Sequence, residues 1–243
     1  MEWTDEGVII GVRRHGEANA IIELLTLEHG RHLGIVRGGG SRRQAATLQP
    51  GNSVRAVWRA RLDEHLGSFT LELTNARAGA LMAQAHSAFA LGHITALLRL
   101  LPERDPHPDL HAFLETMTEH LGDVRLTGMM VARFELMMLA ELGFGLDLTR
   151  CAATGGRNEL LYVSPKSGRA VSRDAGKPWR QQLFDLPFFL IGEVAEPPPA
   201  GDVEAAFALT GHFLARRVFE PRGLALPDSR ESLVIALRRA SDQ

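Results

Sequence analysis

The feature that most restricts the fold is a change of period. Within residues 53–62, Val54, Ala56, Trp58, Ala60 and Leu62 fall on one face, while Ser53, Arg55, Val57, Arg59 and Arg61 fall on the other. A period of two is what a half-buried strand requires. From about Ala78 the apolar residues recur at helical spacing instead, as in Met130, Phe134, Met138 and Leu142 on one stripe. The chain therefore reads as α+β, with its strands first and its helices after them.

Four more short runs accompany the alternating strand, at residues 7–14, 20–27, 31–37 and 69–74. Turn residues separate them: His15-Gly16, Glu28-His29-Gly30, Gly38-Gly39-Gly40 and Asp63-Glu64-His65. Five short strands in so few residues suit a small closed barrel, which leaves no open sheet edge. An OB-type barrel over residues 1–78 is the most economical arrangement, with Trp58 in its core and Arg55, Arg59 and Arg61 pointing outward.

Residues 79–243 read as a helical domain. A helix over 81–101 stops at Pro102, and Pro102, Pro106 and Pro108 forbid its continuation. Helices over 109–121, from an N-cap at Thr127 to Gly143, over 202–219 and over 228–240 follow. Asp228 and Glu231 open the last of these in capping-box spacing. Residues 151–180 interrupt the helices with a β-hairpin, 160–163 and 169–172 around a turn at 164–168. Leu161, Val163, Val171 and Trp179 are expected to pack it together. Pro197-Pro198-Pro199 forms a stiff linker.

Charge is distributed unevenly. The net charge is only -2, yet residues 31–61 hold Arg31, Arg37, Arg42, Arg43, Arg55, Arg59 and Arg61 and no acid. Residues 151–180 hold six basic residues against two acidic ones. Nearly all the cations are arginine, whose planar fork grips phosphate and stacks on bases. A groove that tracks a nucleic-acid backbone, with a flexible basic loop at 38–43, is the functional reading. The plainer one is a solvated strand face.

Several chemistries are excluded or weak. No phosphate-binding G-x-x-x-x-G-K-[ST], nucleophile elbow or H-E-x-x-H is present. His107 and His111 lie four apart beside Glu115 and Glu119, but His107 sits among prolines and the rest reads as an exposed helix surface. Cys151 is the lone cysteine, so no intrachain disulfide forms. The acidic beginning lacks the layout of a signal peptide, and no apolar run reaches the ~20 residues that span a bilayer. A cytoplasmic, non-enzymatic protein without cofactors is expected.

Four stretches resemble the RecO family of bacterial recombination mediators. They are 11–17 leading into 26–31; Val36-Arg37-Gly38-Gly39 with Leu48-Gln49-Pro50-Gly51; Phe188-Phe189-Leu190; and Arg216-Arg217-Val218 with Pro221-Arg222-Gly223-Leu224 and Ser229-Arg230. They run nearly end to end and in family order. The resemblance implies an N-terminal OB barrel and a helical domain interrupted by a zinc-ribbon-like loop. Zinc-type members place two C-x-x-C pairs there; here Cys151 is followed by Thr154, Ser172 and Ala175 at the other positions. A closed zinc site needs four N or S ligands, so no metal is expected.

The resemblance also implies binding of single- and double-stranded DNA, annealing without ATP, and loading of recombinase with RecR. The loading site is a gap coated by single-stranded-DNA-binding protein (SSB), and the helical domain engages the acidic tail of that coat protein. The expected DNA contacts are Arg13, Arg14, Arg31, Arg37, Arg42, Arg43, Arg55, Arg59 and Arg61 on the barrel, and Lys166, Arg169 and Arg173 on the loop. Arg125 and Arg133 are the expected tail contacts. An RNA-binding barrel and a non-catalytic adaptor for acidic protein tails are the competing classes.

Overall fold

A computed structural model describes residues 1–241, which form two compact units, the first Met1–Gly122 and the second opening at Asp123. In the first, β1 (Glu2–His15), β2 (Asn19–Thr26), β3 (Gly30–Val36), β4 (Ser53–Arg59) and β5 (Ser68–Asn75) close into a barrel in the order β1-β2-β3-β5-β4. Only the β3–β5 closure, at Ile35 and Ser68, is parallel. This is the OB-type order. β1 serves two partners: Glu2 to Val8 pair with β4 and Gly7 to His15 with β2, with an irregularity between Ile9 and Gly11.

Ile9, Ile22, Leu24, Val36, Val54, Ala56, Trp58 and Phe69 fill the interior. Trp58 is fully buried, and its indole N–H donates to Leu66 O at 3.1 Å. Gly67 closes over that ring in a left-handed conformation, where a Cβ would run into the indole. Two helices, α2 (Ala85–Leu98) and α3 (Pro108–His120), contact the outer side of β1. Val8, Ile21 and Leu25 are therefore buried although they alternate with the interior residues. Burial on both faces explains why β1 and β2 read as unbroken apolar runs, whereas β4, covered on one face, alternates. Leu62, expected inside, is exposed because β4 ends at Arg59 and the chain turns away.

The expected single helix over 81–101 is split into α1 (Ala78–Met82) and α2 by an extended backbone at Gln84. Asn52 Oδ1 accepts from the N–H groups of Arg77 and Ala78, both at 2.9 Å, and so fixes the start of α1. Arg77 then donates to Ser53 (2.6 Å), Glu115 (2.8 Å) and Glu119 (3.1 Å). The face expected to be solvent surface is thus a joint between barrel and helices. His107 and His111 are buried there, and burial lowers the pKa of His111.

In the second unit α4 (Val124–Glu141) starts one turn earlier than expected. Asp123 is its cap, accepting from Arg125 N–H at 2.8 Å, while Thr127 lies inside and donates to Asp123 O. Gly143, at φ +83°, follows its end. The hairpin forms where the sequence places it, as β6 (Leu160–Val163) and β7 (Ala170–Ser172). Then come α5 (Arg173–Gly176), a 3₁₀ turn over Lys177–Gln182, and β8 (Phe184–Asp185), which adds to β6. Val163 and Val171 are buried and Leu161 half-buried, but Trp179 is 59% exposed and packs nothing together. α6 (Ala200–Phe213) runs on through a π-helical turn, Leu214–Phe219, and α7 (Asp228–Ser241) closes the unit.

A buried ion pair ties α4, α6 and α7 together. Glu135 is fully buried and takes two hydrogen bonds from Arg230, at 2.6 and 3.0 Å. Arg230 also donates to Phe207 O at 2.7 Å, and Thr210 donates to the same carboxylate.

Candidate nucleic-acid interface

The barrel end that carries the β1–β2 turn gathers positive charge. The register runs Arg14 to Ala20 to Val36, so Arg14 and Arg37 lie at neighbouring levels on either side of β2. The β3–β4 loop then folds back onto the β1–β2 turn, with Gly40 N–H donating to Ala18 O at 2.9 Å and Gly38 N–H to Asn19 Oδ1 at 3.2 Å. Gly38, at φ +69°, makes the reversal. Successive turns bonded from Ser41 to Leu48 follow, and buried Leu48 returns the chain to the core. The glycines expected to give a mobile hinge serve a left-handed reversal and a close backbone approach. Arg13, Arg14, Arg37, Arg42 and Arg43 are all exposed here, and none forms an ion pair among the described residues.

The other barrel arginines are differently placed. Arg55 lies directly across from Glu6 on β1 and Glu72 on β5, and opposed residues in an antiparallel pair share a face. Arg59 bonds Glu2 at 2.8 Å, which raises its own pKa and lowers that of Glu2. Arg61 is exposed in the turn that continues into Asp63 and Glu64. The expected arginine wall along β4 is a mixed-charge face.

Arg31 is nearly enclosed. It bonds Glu23 at 2.7 Å and Leu101 O at 3.0 Å, and Glu23 also bonds Arg99 at 2.8 Å. This cluster straps the segment after α2 across β2 and β3, where OB-type barrels take oligonucleotides along with the loop after strand 1. The chain itself covers part of that face, leaving the loop end open.

On the hairpin, Arg169 pairs with Asp147 at 3.3 Å and Arg173 with Glu159 at 3.4 Å. Lys166 is exposed without an ion pair, as are Arg157 and Lys177, which the sequence reading did not select. Cys151 is buried, and its sulfur accepts from Ser172 N–H and Oγ–H, both at 3.3 Å. Burial pushes its pKa up, but hydrogen bonds from Ser172 and Thr154 outweigh that and bring it down to about 6. Residues at two of the family's zinc-ligand positions are thus hydrogen-bond donors to the remaining thiol. Among the described residues no group of three or more His, Cys, Asp or Glu could hold a metal.

Arg125 and Arg133 serve different places. Arg133 donates to Phe189 O and Gly192 O, each at 2.8 Å, and so holds the turn after β8. Arg125 stands at a groove of about 860 Å³ between α4, α6 and α7, walled by Val124, Val203, Phe207 and Leu237. Arg238, paired with Glu204 at 2.7 Å, also lines it. Arg238 was missed because only the packing of α7 brings it there. Among the described residues no helix is long and apolar enough to cross a membrane.

Two family profiles match. Residues 1–77 match "Recombination protein O N terminal" and residues 84–224 match "Recombination protein O C terminal". The chain is 58% identical over 240 residues to the DNA repair protein RecO of Xanthobacter autotrophicus, covering 99% of this chain and 98% of that one. It is 55% identical over 242 residues to its counterpart in Afipia carboxidovorans, with 99% and 97% covered. For that of Mesorhizobium japonicum the identity is 56% over 240 residues, with 98% and 94% covered. With profile matches over both halves of the chain and full-length relatives at this identity, the chain belongs to the RecO family of DNA repair proteins.

Proposed function

We propose that this RecO-family chain binds single- and double-stranded DNA through the arginine cluster at the loop end of its barrel and anneals complementary strands without ATP. The observation that carries this is that Arg13, Arg14, Arg37, Arg42 and Arg43, exposed and unpaired among the described residues, lie on the segments whose backbones meet at one end of the barrel. Five guanidinium groups in one place neutralise phosphates from two strands and release their counterions, which lowers the repulsion that opposes annealing. The chemistry needs no nucleophile, nucleotide or metal, so the protein acts as a cytoplasmic mediator and not as an enzyme. In this reading it works with RecR to load recombinase onto gaps coated by SSB. The groove beside Arg125 takes the acidic tail of the coat protein, its apolar walls receiving the tail's apolar residues and Arg125 a carboxylate.

Oligonucleotide affinity measured over a salt series tests the DNA site. If all five arginines contact phosphate, log affinity falls with log salt at a slope of about -4. Replacing Arg37, Arg42 and Arg43 by Ala should flatten that slope by about 2–3 and leave the thermal midpoint unchanged. A flat wild-type dependence, or a triple variant that binds as the wild type does, would falsify the assignment. Competition between matched DNA and RNA strands separates this reading from an RNA-binding barrel. Arg125→Glu should abolish capture of an acidic tail peptide without affecting DNA.

A further inference from the structure

Trp179 is a large apolar ring held in solvent, on a segment built to hold it there. Gly176 lies against the Tyr162 ring so closely that no Cβ fits. Arg180 stacks over the same ring, 5.1 Å from its centroid, and is bound to Asp185 at 2.8 Å. The 3₁₀ turn is therefore fastened to the β6–β8 sheet on both sides of Trp179. In a 3₁₀ turn residues three apart eclipse. Lys177 and Arg180 thus share the anchored side, and Trp179 shares its own with exposed Gln182. The surrounding segment, residues 151–180, carries six basic residues against two acidic ones. Lys166, Lys177 and Arg157 are free of ion pairs among the described residues.

We infer that Trp179 is a base-stacking platform for single-stranded nucleic acid, with the exposed, unpaired cations of this segment tracking phosphates of the same strand. This rests on the DNA-binding reading above and deepens it. The barrel loop cluster supplies charge, which a duplex and a single strand satisfy alike, whereas an exposed indole distinguishes them. Unpaired bases offer their faces to an aromatic ring, and bases stacked inside a duplex do not. The exposed cations Arg157, Lys166 and Lys177, without ion pairs among the described residues, favour a nucleic acid over an apolar protein partner.

The full chain, Trp179→Ala and Trp179→Phe are compared for binding to oligo(dT) and to a duplex of equal length. The Ala variant should bind oligo(dT) about tenfold more weakly, with duplex affinity within about twofold of wild type, and the Phe variant should recover most of the loss. Intrinsic fluorescence gives a second readout. Trp58 is buried in the barrel and Trp3 is stacked between Trp58 and His29, so the acrylamide-accessible signal should come from Trp179 and be protected by oligo(dT). Wild-type DNA binding with an unaffected Ala variant overturns the platform and leaves the general reading intact. Absence of DNA binding by the wild type overturns both. Equal loss on single strand and duplex, or a variant that loses only association with RecR, would assign Trp179 to another task.

Discussion

His32 shows how a titratable side chain sits inside the barrel. It is 2% exposed, and its ring stands edge-on to Trp58 at 4.8 Å and to Trp3 at 5.1 Å. Its Nδ1 lies 3.0 Å from Leu33 O, to which the protonated nitrogen donates. Burial holds its pKa down to about 4 from the ordinary 6.5. Between these values the unfolded chain binds more protons than the native one. Stability contributed above pH 6.5 is therefore lost as the pH falls toward 4. His111, also lowered by burial, acts in the same direction. The urea midpoint should fall across this window, and His32→Leu should flatten part of the fall; an undiminished pH slope in the variant would exclude His32 as its source. Asp5 acts lower down. Burial pushes its pKa up, but hydrogen bonds from His29 and from the N–H groups of Glu28 and Glu6 prevail and lower it from 3.8. Its contribution is present above that value and is lost only as the pH drops below it.

Among elements, a buried clasp joins three helices of the second unit. Arg230 on α7 reaches Glu135 on α4 and Phe207 O on α6. Removing one partner leaves the other charge buried and alone, so Arg230→Ala should cost about 3–5 kcal/mol in urea unfolding. A double replacement of Glu135 and Arg230 by Met should cost much less, because no charge is stranded. If both variants are equally destabilised, packing and not charge governs the clasp. Ser172 and Thr154 donate to Cys151 where zinc-type relatives would have further ligands. Stoichiometric zinc should not copurify with the chain, and a chelator should leave its thermal midpoint unchanged; one zinc per chain would refute this.

At the scale of the whole molecule the question is where positive charge survives pairing. Among the described residues, the loop end of the barrel and the hairpin positions Arg157, Lys166 and Lys177 keep exposed cations without an ion pair, as do single positions elsewhere such as Arg61, Arg125 and Arg150. Neutralising the three barrel residues Arg37, Arg42 and Arg43, or the three hairpin residues, should each lower the salt slope of DNA binding by about 2–3, and the combined variant should lose the sum. If the hairpin set changes nothing, that segment does not touch DNA. The charge-paired arginines serve as the contrast. Arg59→Ala should leave the slope nearly unchanged, since Glu2 already neutralises that side chain.

The sequence determined the class of fold, because periodicity is a local property: the alternation in β4, the hairpin around residues 164–168 and the helix stripe at Met130, Phe134 and Met138 follow from which neighbours along the chain must face one core. It determined the family too, through residues spread over nearly its whole length. It could not show which arginines are free. The stretch 31–61 contains no acid, yet Glu2, Glu6 and Glu72 reach it through strand register, and Glu23 and Glu103 reach Arg31. Nor could it show that Trp179 faces solvent or that Glu115 and Glu119 hold Arg77. Charge pairing and exposure depend on partners distant in sequence, and only closure of the barrel and packing of the helices bring those partners together.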